Sequence, residues 1–153
     1  METDSMKIAA ATTDDLGTLG ALERACFAEP WTTATLASAL NDDKYLILLA
    51  RDDGSTLALN AVGYAIGWNV GDEAELARVG VHASARRQGL GKKIADALLE
   101  SFRERGVKTI FLEVRQSNQA ARKLYEKSDF AEIRKRLNYY ADGETAIIMK
   151  AEL

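Results

Sequence analysis

Arg86-Arg87-Gln88-Gly89-Leu90-Gly91-Lys92-Lys93 is the stretch on which the fold turns. On its N-terminal side, Glu75 to His82 has strand character, with Ala77, Val79 and Val81 expected on one side. On its C-terminal side Leu90, Ile94, Ala97, Leu98 and Phe102 recur at helical spacing, and Gly106 stands where a C-terminal cap belongs. Glycines at such a strand-to-helix junction let consecutive backbone N–H groups converge, and the helix N-terminus adds partial positive charge. With Arg86, Arg87, Lys92 and Lys93 around it, the junction suits a diphosphate. The plainer alternative is an ordinary helix start beside a solvated basic cluster; the coincidence of the glycine pair with the helix start favours the anion cradle. Two other nucleotide loops are excluded. No third glycine completes a dinucleotide fingerprint, and Lys93 occupies the position where a P-loop needs Ser or Thr for magnesium.

Outward from the loop, the pattern alternates between strand and helix periods. Met6 to Ala11 reads as a strand, and Thr13, Asp14 and Asp15 offer N-cap groups ahead of a helix carrying Leu16, Leu19, Leu22 and Phe27. Pro30-Trp31 breaks that helix; Thr32 to Leu40 is a second one, followed by a strand at Tyr45 to Ala50 and a turn at Asp52 to Ser55. From Thr56 to Val70, bulky Val62, Tyr64, Ile66 and Trp68 alternate with Gly63, Ala65 and Gly67, a strand whose small face lets something approach the backbone. Gly71-Asp72 makes a hairpin turn. Beyond the loop and its helix come a strand at Lys108 to Arg115, with Ile110, Leu112 and Val114 on one face, and a helix at Asn118 to Lys127. Phe130 to Leu137 and Glu144 to Met149 close the chain as strands around Ala141-Asp142-Gly143. The order predicts an α/β protein with a mixed sheet and packed helices.

Composition bounds the rest. The 153 residues carry 20 Lys+Arg against 23 Asp+Glu, a net charge of −3, at 47% hydrophobic and 28% charged residues. Those values describe one soluble domain over residues 1–153, with no linker, repeat or low-complexity tract. Cys26 and His82 are each the single residue of their type, so neither an internal disulfide nor a Cys/His zinc site can be assembled, and no metal is expected. Met1 to Lys7 lacks a signal-peptide core and no stretch approaches a membrane span, which points to a cytoplasmic protein with no membrane partner. The mild acidity argues against nucleic acid as partner; the basic run Arg134-Lys135-Arg136 is short enough to be a solvated face.

Arg86-x-x-Gly89-x-Gly91 resembles the acyl-coenzyme A pyrophosphate loop of the GNAT acetyltransferases, and the element order around it is similar to that family's over most of the chain. Asn118-x-x-Ala121-x-x-Leu124-Tyr125-x-x-x-Asp129-Phe130 resembles the family's second signature helix. Phe111-Leu112-Glu113-Val114-Arg115-x-Ser117-Asn118, Asn138-Tyr139-Tyr140, Asp142-Gly143 and Ala146-Ile147-Ile148-Met149 resemble the RimI branch, which acetylates the N-terminal alanine of a small-subunit ribosomal protein. The resemblance implies a mostly antiparallel sheet of about seven strands flanked by about four helices. It also implies acetyl-CoA as co-substrate, held by Val79, Gly80 and Val81 of the strand and by Arg86, Arg87, Gln88, Gly89, Leu90, Gly91 and Lys92 of the loop. Asn118 either joins this set or serves as an N-cap. Arg78, His82 and Ala83 depart from the family's pattern at the strand end.

Acetyl transfer to an amine needs a neutral nitrogen, stabilisation of charge on the thioester oxygen, and a proton for the departing thiolate. Glu113, ending an apolar strand, is a candidate general base acting through water, against the alternative of a surface Glu paired with Arg115; the resemblance favours the base. Tyr125 is either a packing aromatic or the acid, and the resemblance favours the acid. Trp31, Tyr139 and Tyr140 are candidates for the lip that takes a peptide N-terminus, with core packing the alternative for Trp31. Cys26 reads as a small core residue. An α-amine of pKa about 7.8 costs roughly 3.5 kcal/mol less to deprotonate at neutral pH than a lysine of about 10.4, which suits a single water-linked carboxylate. The expected activity is therefore N-terminal acetylation of a protein, most specifically a ribosomal one. Transfer to a small amine or a lysine, and a non-catalytic acyl-CoA sensor, are the alternatives.

Overall fold

The structure is a computed structural model that describes residues 6–153; the part of the signal-peptide reading that falls on residues 1–5 lies outside the described residues. The described strands are β1 (Met6–Ala10), β2 (Tyr45–Asp52), β3 (Ala61–Val70), β4 (Glu73–Val81), β5 (Thr109–Arg115), β6 (Ala131–Arg136) and β7 (Ala146–Glu152). The helices are α1 (Leu16–Cys26), α2 (Thr33–Leu40), α3 (Leu90–Glu104) and α4 (Gln119–Lys127). The strands form one sheet in the order β1-β2-β3-β4-β5-β7-β6, antiparallel throughout except where β4 runs parallel to β5. No described helix is long and apolar enough to cross a membrane.

Each face of the sheet carries its own core. On one face α3 and α4 cover Leu46, Leu48, Ala65, Ile110, Leu112 and Met149, with Ile94, Leu98 and Phe102 pointing inward. On the other, α1 and α2 bring Leu19, Leu22 and Leu36 against Ile47, Leu49, Tyr64 and Ile66. The small face of β3 admits α3: a Cβ at Gly63 would stand 2.7 Å from Ile94 Cδ1, and one at Gly67 would stand 2.9 Å from the Phe102 ring. At the far end of α3, Gly106 N–H donates to Arg103 O at 3.0 Å and Val107 N–H to Phe102 O at 3.0 Å. This paired cap needs the left-handed φ of 86° that Gly106 adopts.

Several expectations are corrected. Asp15 is the N-cap of α1 as expected, but a 3-10 turn at Thr13–Asp15 precedes it, capped by Thr12, whose N–H donates to Asp15 Oδ2 at 2.8 Å. Strand β3 begins at Ala61 rather than Thr56, because residues 58–60 form a 3-10 turn in which Leu59 and Asn60 hold left-handed φ of 55° and 57°. The strand faces also change. Pairing jumps from Ala50↔Gly63 to Arg51↔Ala61, so Val62 is an extra residue and packs on the α3 face rather than beside Tyr64. A second jump, from Ile66↔Arg78 to Gly67↔Leu76, makes Ala77 the extra residue. Ala77 therefore packs on the α1/α2 face, away from Val79 and Val81.

The feature that makes room for a site is the short β4–β5 pairing. Partners run only from Glu73↔Thr109 through Ala74↔Ile110 to Glu75↔Phe111. Beyond Glu75, β4 continues to Val81 and β5 to Arg115 without pairing to each other, so the sheet splays open.

Candidate active site

The splay leaves β4 with one satisfied edge and one open edge. Towards β3, Val81, Gly80 and Val79 pair with Gly63, Tyr64 and Ala65. Towards β5, the same three residues line a cavity of about 670 Å³. Backbone groups on an open edge must find partners, and an extended chain carrying amides can supply them. Gly80 cannot carry a side chain here, since a Cβ would stand 2.5 Å from the Tyr64 ring.

The loop closes one end of this cavity. His82 Nδ1 accepts from Ser84 N–H at 3.2 Å and caps the 3-10 turn Ala83–Ala85, which explains the His at this strand end. Arg86 Nε donates to Val81 O at 2.9 Å, so this side chain braces the loop against the strand. Gly89 caps α3 with a left-handed φ of 72°, and a Cβ there would meet no atom within 4 Å. That open space, beside the unpaired N–H groups of the first helical turn, is what a diphosphate requires. Lys92 Nζ pairs with Asp96 at 2.6 Å. Arg86 and Lys92 are thus engaged within the protein, while Arg87, Lys123 and Lys127 also line the cavity.

Helix α4 forms the opposite wall with Ala121, Leu124 and Tyr125. Asn118 does both things asked of it: its side chain accepts from Ala121 N–H at 3.1 Å as an N-cap, and it lines the cavity. Tyr125 is buried against Phe130, ring centroids 5.8 Å apart, and burial pushes its phenol up to about 12. Cys26 and Phe27, at the end of α1, complete the lining. Cys26 packs half-buried against the α1/α2 core and also lines the cavity, and burial pushes its thiol up, away from reactivity.

Of the residues singled out by sequence, the cavity gathers Val79, Gly80, Val81, Arg86, Arg87, Gly89, Leu90, Gly91, Lys92, Asn118 and Tyr125. Gln88, Glu113, Trp31, Tyr139 and Tyr140 are not among its walls. Glu113 alternates with Leu112 and Val114, which are buried under α3, so its carboxylate emerges on the opposite face of the sheet from Tyr125. There Glu113 Oε1 lies 3.7 Å from Arg136 Nη1, and its carboxylate raises the phenol of Tyr139. The Arg115 partner weighed for Glu113 is overturned. Arg115 binds Asp142 and Glu144, each at 2.9 Å, and stacks 4.0 Å over the Tyr140 ring. Glu144 also accepts from Ser117 N–H at 2.8 Å. These contacts hold Tyr139-Tyr140 beside Glu113.

One titratable neighbour escapes sequence reasoning. Glu75, half-buried at the last paired position of β4, has its carboxyl raised by burial and then by the charge of Glu113. The alternation of buried Ala74 and Leu76 around it marks a strand, but only the parallel pairing to Phe111 brings it near Glu113. Trp31 sits half-buried on the same face, its N–H donating to Glu23 Oε1 at 2.9 Å.

The comparisons agree with this geometry. Residues 17–130 match the model of the acetyltransferase (GNAT) family. The chain is 39% identical over 145 residues to the ribosomal protein bS18-alanine N-acetyltransferase of Escherichia coli K12, covering 93% of this chain and 94% of that one. The Haemophilus ducreyi protein of the same name is 38% identical over 141 residues, covering 88% and 92%. The crystal structure of the Escherichia coli ribosomal-protein-S18-alanine N-acetyltransferase superposes with a TM-score of 0.85 at 37% identity, covering 96% of this chain and 93% of that one. A splayed β4–β5 pair, a glycine-capped loop and a match spanning most of the chain lead to one conclusion: the chain belongs to the GNAT acetyltransferase family, whose co-substrate is acetyl-CoA.

Proposed function

We propose that residues 1–153 form a single catalytic domain that transfers acetyl from acetyl-CoA to the α-amine of a protein N-terminus, that of the alanine-starting ribosomal protein S18 in a cytoplasmic setting. The observation that carries this reading is the splay of β4 from β5, which lets two faces of one sheet meet at a gap. The donor is held on the α3/α4 face by the open edge of Val79 to Val81 and by the Gly89 loop; the acceptor approaches on the other face, past Trp31, Tyr139 and Tyr140. Glu113 takes the amine proton through water. Backbone N–H groups at the end of β4 stabilise charge on the thioester oxygen. Tyr125 protonates the leaving thiolate; the burial that raises its phenol also raises a thiolate formed in the same cavity, so the proton transfer stays closely matched.

The test uses acetyl-CoA and a basic peptide with a free N-terminal Ala and an internal Lys, with tandem mass spectrometry locating the acetyl group. Acetyl on the α-amine is expected; acetyl on Lys alone, or on neither, overturns the acceptor assignment. The donor half is tested separately. Gly89→Ala is expected to weaken acetyl-CoA binding about tenfold in calorimetric titration, because its φ of 72° strains any side chain and the new methyl enters the cradle.

A further inference from the structure

The most concentrated polar interior in the protein lies outside the donor cavity. Glu23 of α1 is fully buried. Its Oε1 accepts from Trp31 N–H at 2.9 Å and faces Arg78 Nη1 at 3.2 Å, while Oε2 accepts from the phenol of fully buried Tyr64. Arg78, from β4, spends its other Nη on Glu29 O at 3.0 Å and lays its guanidinium 4.1 Å over the Phe27 ring and 5.8 Å from the Trp31 ring.

A buried ion pair is weak evidence for stability, because apolar residues of similar volume serve as well or better. Its yield is geometric. Here that geometry concerns the connection between α1 and α2: Ala28, Glu29 and Pro30 are exposed, and this cluster grips the connection at the Phe27 ring, the Glu29 carbonyl and the Trp31 amide. The same connection spans the two halves of the site, with Phe27 on the donor cavity and Trp31 on the acceptor face. Arg78 stands one residue from Val79, which lines the donor cavity, so the strand that borders the donor also sets the height of the acceptor wall.

We propose that Arg78, braced against the buried Glu23 carboxylate, is a positioning residue that fixes the 27–31 segment for an acceptor peptide and so sets the peptide KM rather than turnover. The inference rests on the reading of the chain as a peptide N-acetyltransferase. The planar fork of Arg is required because one side chain must meet a carboxylate, a carbonyl and an aromatic face together; an ammonium has three donors but is compact, on a flexible stem, and lacks the flat fork that holds all three in one fixed arrangement.

Arg78→Lys tests this, since it keeps a cation beside Glu23. Its melting temperature is expected to stay near that of the natural protein. The KM for the Ala-starting peptide is expected to rise about tenfold, with kcat and the KM for acetyl-CoA each within about threefold. Hydrogen exchange across residues 27–32 is expected to quicken about tenfold. A lysine variant with unchanged peptide KM and unchanged exchange overturns the proposal, as does a raised KM without faster exchange. The double variant Glu23→Met/Arg78→Met, which leaves no buried charge unpaired, is expected to fold and to show the same peptide KM defect; normal peptide KM in it overturns the proposal too. If the unaltered protein acetylates no peptide, the functional reading falls, and exchange in Arg78→Lys still decides whether Arg78 anchors the segment.

Discussion

Tyr125→Phe is expected to lower kcat about a hundredfold while acetyl-CoA binds as before. The phenol, pushed up to about 12 by burial, stays protonated across the working pH range, so the acid is always armed. The same burial keeps out the water that would otherwise protonate the thiolate, which is why the loss is large. Phe retains the ring, its edge-on packing on Phe130 at 5.8 Å and the wall of the cavity, so the donor site itself is preserved. Glu113→Gln is expected to cost less, about ten- to a hundredfold, because that side chain retains 29% exposure and bulk water can stand in for it. Steady-state kinetics with calorimetric titration of acetyl-CoA separates turnover from binding. Unchanged kcat in both variants would remove the two roles; weakened acetyl-CoA binding would make Tyr125 a packing residue.

Gly67→Ala should be a severely damaging single methyl in the sheet. Its Cβ would lie 2.8 Å from Glu75 O and 2.9 Å from the Phe102 ring, and neither neighbour can yield: the carbonyl belongs to the β3–β4 ladder beside the Ala77 bulge, and Phe102 is fully buried. Overpacking against backbone is expected to cost about 3 kcal/mol, a fall in Tm of roughly 6 to 12 °C for a chain of this size. Gly71→Ala separates this steric cost from a conformational one. Gly71 has a left-handed φ of 61° and open space around its Cβ, so about 1 kcal/mol is expected. Thermal melts of the two variants decide, and equal losses would mean that the close approach of α3 to β3 is not what excludes a side chain at Gly67.

What was legible in the sequence was whatever a few consecutive residues decide. The helix over Leu90–Glu104, its Gly106 cap and the loop before it come from 3.6-residue periodicity, a glycine in the left-handed region and a run of N–H groups at a helix start. All of these act within one or two turns of chain. The alternation of Ile110, Leu112 and Val114 likewise put those three on one face of their strand; which helices cover that face came from the structure.

What only the tertiary structure decided was everything that depends on a partner strand or a distant side chain. The bulges at Val62 and Ala77 do not exist in β3 or β4 alone, because an extra residue is extra only against the strand it pairs with. The gap that houses the site arises because β4 and β5 stop pairing at Glu75 and Phe111, residues far apart in the chain. Glu113 meets Arg136, across the intervening β7, while the turn acidic groups Asp142 and Glu144 hold Arg115. Glu23 and Tyr64, 41 residues apart, share a hydrogen bond, and Arg78 joins them. Periodicity records which face a residue occupies; it carries no information about which residue of another element stands opposite, and that pairing is where the two halves of this site are joined.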